Sequence, residues 1–140
     1  PLPEYYFSLL KVMANKGYEI IIILESDIPD YLELPPNITL LSWPSRTGNY
    51  IKDALFLAQL IRQKHPDTLI VNCGSIKKFL LTGWLLKVKN RVLWLHTTLK
   101  QNELNFDKAK WKFHFNYRIS QLAYKFANRI IANSEGTLKD

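Results

Sequence analysis

Short apolar runs that do not alternate with polar residues restrict this chain more than any other feature. They are Glu19-Ile20-Ile21-Ile22-Ile23-Leu24, Ile38-Thr39-Leu40-Leu41-Ser42-Trp43, Thr68-Leu69-Ile70-Val71-Asn72-Cys73, Arg91-Val92-Leu93-Trp94-Leu95-His96 and Arg129-Ile130-Ile131-Ala132-Asn133-Ser134. Each has the length of one strand, and the first is β-branched almost throughout. An unbroken run of this kind suits a strand covered on both faces, which occurs in parallel sheets flanked by helices.

The stretches between the runs have helical spacing instead. Before the first run, Tyr6, Leu9, Leu10 and Met13 form a stripe that Gly17 is placed to end as a left-handed cap. A helix beginning near Tyr50 is expected to turn Ile51, Ala54, Leu55, Ala58 and Ile61 inward and to end by His65, because Pro66 disfavours helical geometry before it. After the third run, Ser75 is placed as an N-cap, with Ile76, Phe79, Leu80 and Gly83 facing inward. Strands alternating with helices imply βαβ units, an α/β class and a mostly parallel sheet. Glu25 to Asn37, with Pro29, Pro35 and Pro36, reads as a loop.

One segment obeys two periods. Trp111 to Ile119 alternates strictly like a half-buried strand, yet Trp111, Phe115, Ile119, Leu122, Ala123 and Phe126 have helical spacing. The expected structure is a helix with those residues on its inner face, and with Phe113, Tyr117 and Tyr124 as a second aromatic stripe opposite.

A chain of 140 residues fits one domain, residues 1–140, with a core that needs neither disulfides nor metals. Cys73 is the single cysteine, so a reducing compartment and the absence of a structural metal are expected. No targeting peptide stands out, and no apolar stretch approaches the roughly 18 residues of a membrane span. The formal charge of +7 favours anionic partners such as nucleotide phosphates, acidic lipid headgroups or nucleic acid, and equally suits a soluble protein kept away from zero charge.

Ligands of open parallel sheets bind just beyond the carboxyl ends of the strands. His96, followed by the hydroxyls of Thr97 and Thr98, stands at one such end. Its imidazole is suited either to stabilising developing charge in a water-poor cleft or simply to capping the strand. Asn72, Gly74 and Ser75 stand at the next, where backbone amides opening a helix receive a hydroxyl or phosphate, or form a plain cap. Cys73 between them reads as a small buried hydrophobe. Ser134 and Glu135 end the last run as a helix cap or as contact residues, and Arg46, with Thr47 and Asn49, follows the second run as an anion contact or a solvated loop. Lys108, Lys110, Lys112, Arg118 and Lys125 accompany Trp111, Phe113 and Tyr117. That mixture suits an anionic membrane surface or a core helix with a solvated face. Without a recognition helix or an aromatic sheet-face motif, nucleic acid is not an expected partner.

Three places in the chain resemble the N-terminal half of a family 4 (group 1) glycosyltransferase of the GT-B fold. Glu4 to Ile20 is similar to the family's Gly-Gly-x-Glu, Leu-rich helix and Gly-His-Glu-Val. Asp67 to Gly74 with Arg91 to Thr97 is similar to its Asp-Val-Val-His-Val-His and Val-Val-x-Thr-Val-His-Asp strands. Asn128 to Asp140 is similar to its Ala-Asp-x-Ile-Ile-Ala-Val-Ser-Glu ending. Departures stand beside the matches: Pro1-Leu2-Pro3 replaces the glycine-rich loop, Tyr18 and Asn72 each replace a His, and Thr97 replaces an Asp.

The resemblance implies a Rossmann-like three-layer domain, the acceptor side of a two-domain enzyme that moves a sugar from a nucleotide-sugar to a glycan or lipid-linked acceptor with retention of configuration. His96 matches the family His that faces the reacting sugar, and Ser134 and Glu135 match its Ser-Glu. No carboxylate pair here can be assigned to double displacement, so front-face transfer without a protein nucleophile is what the resemblance implies. The donor-binding domain, with its paired glutamates, and the first, mid-sheet strand are expected to lie outside residues 1–140, leaving this fragment inactive and poorly folded alone. No metal or other cofactor is expected, and the expected setting is the cytoplasm, in peripheral contact with the inner face of the membrane through Lys108, Lys110, Trp111 and Lys112. The alternatives are a non-catalytic Rossmann-like module binding a phosphorylated ligand, or half of a nucleotide-sugar epimerase.

Overall fold

A computed structural model describes residues 4–24, 34–45, 50–72, 75–95, 118–119 and 121–132. Along them run α1 (Glu4–Asn15), β1 (Ile20–Leu24), β2 (Ile38–Ser42), α2 (Tyr50–Lys64), β3 (Thr68–Asn72), α3 (Ile76–Leu85), β4 (Asn90–Leu95) and β5 (Arg129–Ala132). A further helical segment covers 118–119 and 121–124. Each strand pairing among the described residues is parallel, as expected, and the chain is α/β of Rossmann-like type. It divides into two compact units, 1–49 and 50–140.

In the first unit β1 pairs with β2 from Ile20 opposite Ile38 to Leu24 opposite Ser42. Gly17 takes the left-handed cap position its sequence context predicts, at φ +86°. The Tyr18 amide donates to the Met13 carbonyl and the Gly17 amide to that of Ala14, the paired bonds of a Schellman motif. Tyr6, Leu9, Leu10 and Met13 are all partly covered, and Ala14 is buried. The five β1 side chains are half-buried rather than sealed, so the expectation of a fully buried strand is not met there.

The second unit is ordered β3-β4-β5. Its core is Val71, Leu80 and Leu93, with Ile76, Phe79, Leu95, Tyr124, Phe126 and Ala127 packed around them. β4 is central and alone of the three is closed on both faces: Val92 on one and Leu93 on the other are both buried. β3 alternates instead, with Leu69 and Val71 buried and Thr68 and Ile70 exposed. α3 turns inward the residues its spacing predicts, Leu80 and Gly83 among them. A Cβ on Gly83 would meet Leu69 Cδ1 at 2.5 Å, so glycine here sets how closely α3 approaches β3.

Two helix ends in this unit use left-handed residues that are not glycine. His65 at φ +47° stops α2 just before Pro66, its amide donating to the Ile61 carbonyl. Lys87 at φ +57° ends α3 as a Schellman motif, with the Val88 amide on the Gly83 carbonyl and the Lys87 amide on that of Trp84.

Asparagines staple the entrances of the strands. Asn37 Nδ2 donates to the carbonyls of Ala14 and Tyr18, each at 2.8 Å, tying the end of α1 to the start of β2. Asn90 Nδ2 donates to Thr68 Oγ1 at 3.2 Å across β3 and β4. Asn128 accepts from the Arg91 amide at 2.7 Å and donates to the Lys89 carbonyl at 2.6 Å, holding β5 against the start of β4. Arg91 Nε adds a bond to the Phe126 carbonyl at 2.6 Å. In each unit the strand entrances are thus tied down by side chains.

Three helix expectations are corrected. On α2 the buried residues are Asp53, Leu57 and Ile61, whereas Ile51 and Leu55 are 71% and 66% exposed. The stripe is rotated because Asp53, too polar to count as core by itself, is buried against Lys78. Near the chain's end Tyr124 packs on the core, while Leu122 is 57% exposed. The helix stops at Tyr124, so Phe126 reaches the core from a turn rather than from a continuing helical face. Ser75 occupies the N-cap position of α3 with φ −93° and ψ 9°, and its side chain makes no capping hydrogen bond. Residues 111–117 of the two-period segment lie outside the described residues.

Candidate functional site

The register places three strand ends of the second unit side by side. Asn72 is opposite Trp94, and Leu95 is opposite Ala132, so β3, β4 and β5 finish within about a residue of one another. Side chains that follow these ends in sequence are therefore delivered to one edge, where parallel sheets bind ligands. His96 follows Leu95 directly. It lies outside the described residues, as do Arg46, Cys73, Gly74, Thr97, Ser134 and Glu135.

Two of the expected site residues are described. Asn72 closes β3 and is partly exposed, leaving its amide accessible at the edge. Ser75 is buried at 7% exposure, just ahead of the first turn of α3. β3 thus ends at Asn72 three positions before Ser75, which stands at the entrance of α3, the kind of junction where parallel sheets receive a ligand hydroxyl or phosphate.

The sequence reading missed an ion pair at this edge. Lys78 Nζ lies 2.7 Å from Asp53 Oδ2, linking the first turns of α3 and α2, with the two side chains 13% and 1% exposed. A lysine in the first turn of a helix faces the positive end of the macrodipole, and the aspartate offsets that repulsion. One signal for it was present in the sequence: an acidic residue in register with Leu57 and Ile61, four and eight residues on. Nearby in α2, partial desolvation raises the Tyr50 phenol above its ordinary pKa, although the residue as a whole is 44% exposed.

A cavity of about 350 Å³ lies elsewhere, at the amino-terminal edge, lined by Ile61, Arg62, His65, Asp67, Lys87 and Lys89 among others. It is an open depression at the ends of α2 and α3, remote along both helices from their first turns, and it gathers none of the expected site residues. We assign the candidate site to the carboxyl edge, where strand ends and helix entrances converge. Among the described residues no group of three His, Cys, Asp or Glu side chains is placed to hold a metal, and no helix is long and apolar enough to cross a membrane.

Residues 4–134 match a family model described as glycosyl transferase 4-like. No curated protein and no solved structure matches the chain. The matched span takes in every strand and helix described above and each candidate site residue except Glu135.

Proposed function

The chain belongs to the glycosyl transferase 4-like family, and from that premise we propose that it is the acceptor-side domain of a retaining glycosyltransferase. The observation that carries this reading is the family match across residues 4–134, and the common level of the β3, β4 and β5 ends supports it. The donor is a nucleotide-sugar and the acceptor a glycan or lipid-linked glycan. Asn72, Gly74, Ser75, Thr97, Arg46, Ser134 and Glu135 are the acceptor and cleft contacts. His96 stabilises positive charge as it develops at the anomeric carbon, by a hydrogen bond or through its backbone carbonyl, in a site that excludes water.

No protein nucleophile is assigned. The leaving nucleotide and the incoming acceptor hydroxyl meet the same face of the sugar, the acceptor's proton passing to the departing phosphate. The reading needs no metal or other cofactor. Residues 1–140 hold the acceptor side only, so the isolated segment is inactive. The enzyme works in the cytoplasm on a surface or lipid-linked glycan, with Lys108, Lys110, Trp111 and Lys112 in peripheral contact with the membrane.

The test is His96→Ala in the full-length enzyme, with turnover and acceptor affinity measured separately. The expected outcome is a fall in kcat of about a hundredfold or more, the scale of losing one preorganised charge-stabilising group, with acceptor binding within a few-fold of the parent. Equal turnover in both proteins refutes a catalytic role for the imidazole, since the substitution leaves the backbone carbonyl in place. The anomeric configuration of the product, read by NMR, decides the stereochemistry: an inverted product overturns the retaining assignment.

A further inference from the structure

We propose that the end of the second unit formed by α3 and residues 122–128 is a docking surface for an anionic lipid bilayer. Three large apolar side chains stand out from it: Trp84 at 48%, Leu85 at 62% and Leu122 at 57% exposed. They belong to two segments that run side by side. Trp84 and Phe126 meet ring to ring at 4.9 Å, Arg91 Nε holds the Phe126 carbonyl, and Asn128 Nδ2 holds that of Lys89. The apolar group is therefore built on a fixed platform rather than on a loose turn.

Lysines rim it. Lys87, Lys89 and Lys125 are all exposed, one each side of Val88 and one beside Phe126. The charge continues into the neighbouring cavity through Arg62, with Asp67 the acid in its lining. The whole chain is also basic, at formal charge +7. Cations around protruding Trp and Leu side chains match the two layers of a membrane surface: the lysines meet anionic headgroups while the apolar side chains enter the acyl boundary. A Trp that packs on a neighbouring ring and is still half-exposed suits the headgroup level. Nucleic acid fits less well, because two of the three protruding side chains are leucines, which offer no stacking face to a base.

This surface is distinct from Lys108, Lys110, Trp111 and Lys112 and is independent of sugar transfer, since binding is read without a donor. The experiment is flotation of the full-length protein with vesicles of phosphatidylcholine alone and with phosphatidylglycerol added, across a salt series. The parent protein is expected to float with the anionic vesicles at low salt and to be released as salt screens the charge. Two variants locate the contact. Lys87→Asn, Lys89→Ser and Lys125→Ser together, with Asn chosen because it tolerates the left-handed turn at position 87, should weaken binding by on the order of a hundredfold. Leu85→Ser with Leu122→Ser, at exposed positions, should weaken flotation at low salt although every lysine is kept, and flotation equal to the parent's overturns the apolar half of the contact.

Parent protein that stays unbound at low salt, or that binds neutral vesicles equally well, overturns the proposal. So does the lysine variant floating like the parent. If Lys108→Ser, Lys110→Ser and Lys112→Ser instead release the protein while the lysine variant does not, the membrane contact belongs to that other segment. Retention on single-stranded RNA with the same lysine dependence and no effect of the leucine changes would assign the surface to nucleic acid and refute the bilayer.

Discussion

Cutting the ion pair between Asp53 and Lys78 should cost unequally from its two sides. Lys78→Met leaves a carboxylate that is 1% exposed without its 2.7 Å partner, whereas Asp53→Asn leaves an ammonium on a side chain 13% exposed, which can swing toward water. Breaking a buried pair by removing one partner costs about 3–5 kcal/mol when the remaining charge stays buried. Lys78→Met should therefore destabilise by about 3 kcal/mol, and Asp53→Asn by roughly 1–2 kcal/mol, since the lysine can rehydrate. Replacing both together, Asp53→Asn with Lys78→Met, removes both charges at once and should cost about 1–2 kcal/mol, well below the sum of the singles. Urea denaturation of the four proteins completes the cycle, with slopes compared to confirm that compactness is unchanged. The reasoning fails if Asp53→Asn costs more than Lys78→Met, or if the double variant loses the sum of the singles. Additive losses would mean that the two charges do not hold the entrances of α2 and α3 together.

Gly83→Ala should destabilise by about 1–2 kcal/mol, because crowding against Leu69 Cδ1 at 2.5 Å outweighs the roughly 1 kcal/mol that alanine gains in a helix; a raised melting temperature would refute the close approach of α3 to β3. Asn128→Ala should cost about 1–2 kcal/mol by removing its bonds to the Arg91 amide and the Lys89 carbonyl, and hydrogen exchange should show the Arg91 amide losing protection before those of Val92 and Leu93. Lys87→Gly should stabilise by up to about 1 kcal/mol, since glycine relieves the left-handed backbone at φ +57°; unchanged or lower stability in thermal unfolding would count against that turn.

The strands were legible because their signal is local. Ile20 to Leu24 and Val92 to Leu95 are apolar and mostly β-branched or bulky, and they form strands wherever a sheet can receive them. The cap at Gly17 was legible for the same kind of reason, glycine being the ordinary residue for positive φ. Lys87 occupies the same conformation and went unread, since nothing about lysine announces it; the helix and the following strand impose it. The strand ends at Asn72 and Leu95 were legible to within a residue, from runs that close at Cys73 and His96, but the ion pair at the helix entrances was not. Asp53 reads as a surface residue until Lys78, twenty-five positions away, is brought within 2.7 Å.

What the sequence determined by itself is therefore the α/β class and the order of its elements, because periodicity and β-branching act over neighbouring residues. Tertiary structure alone decided which face of α2 is buried and how the strand entrances are stapled. It also decided that Trp84 meets Phe126, forty-two positions away, ring to ring at 4.9 Å. Those outcomes rest on partners far apart in the chain, such as Asn128 with Lys89 and Arg91, thirty-nine and thirty-seven positions away. A polar group's burial is set by whether such a partner arrives, and no local pattern encodes that.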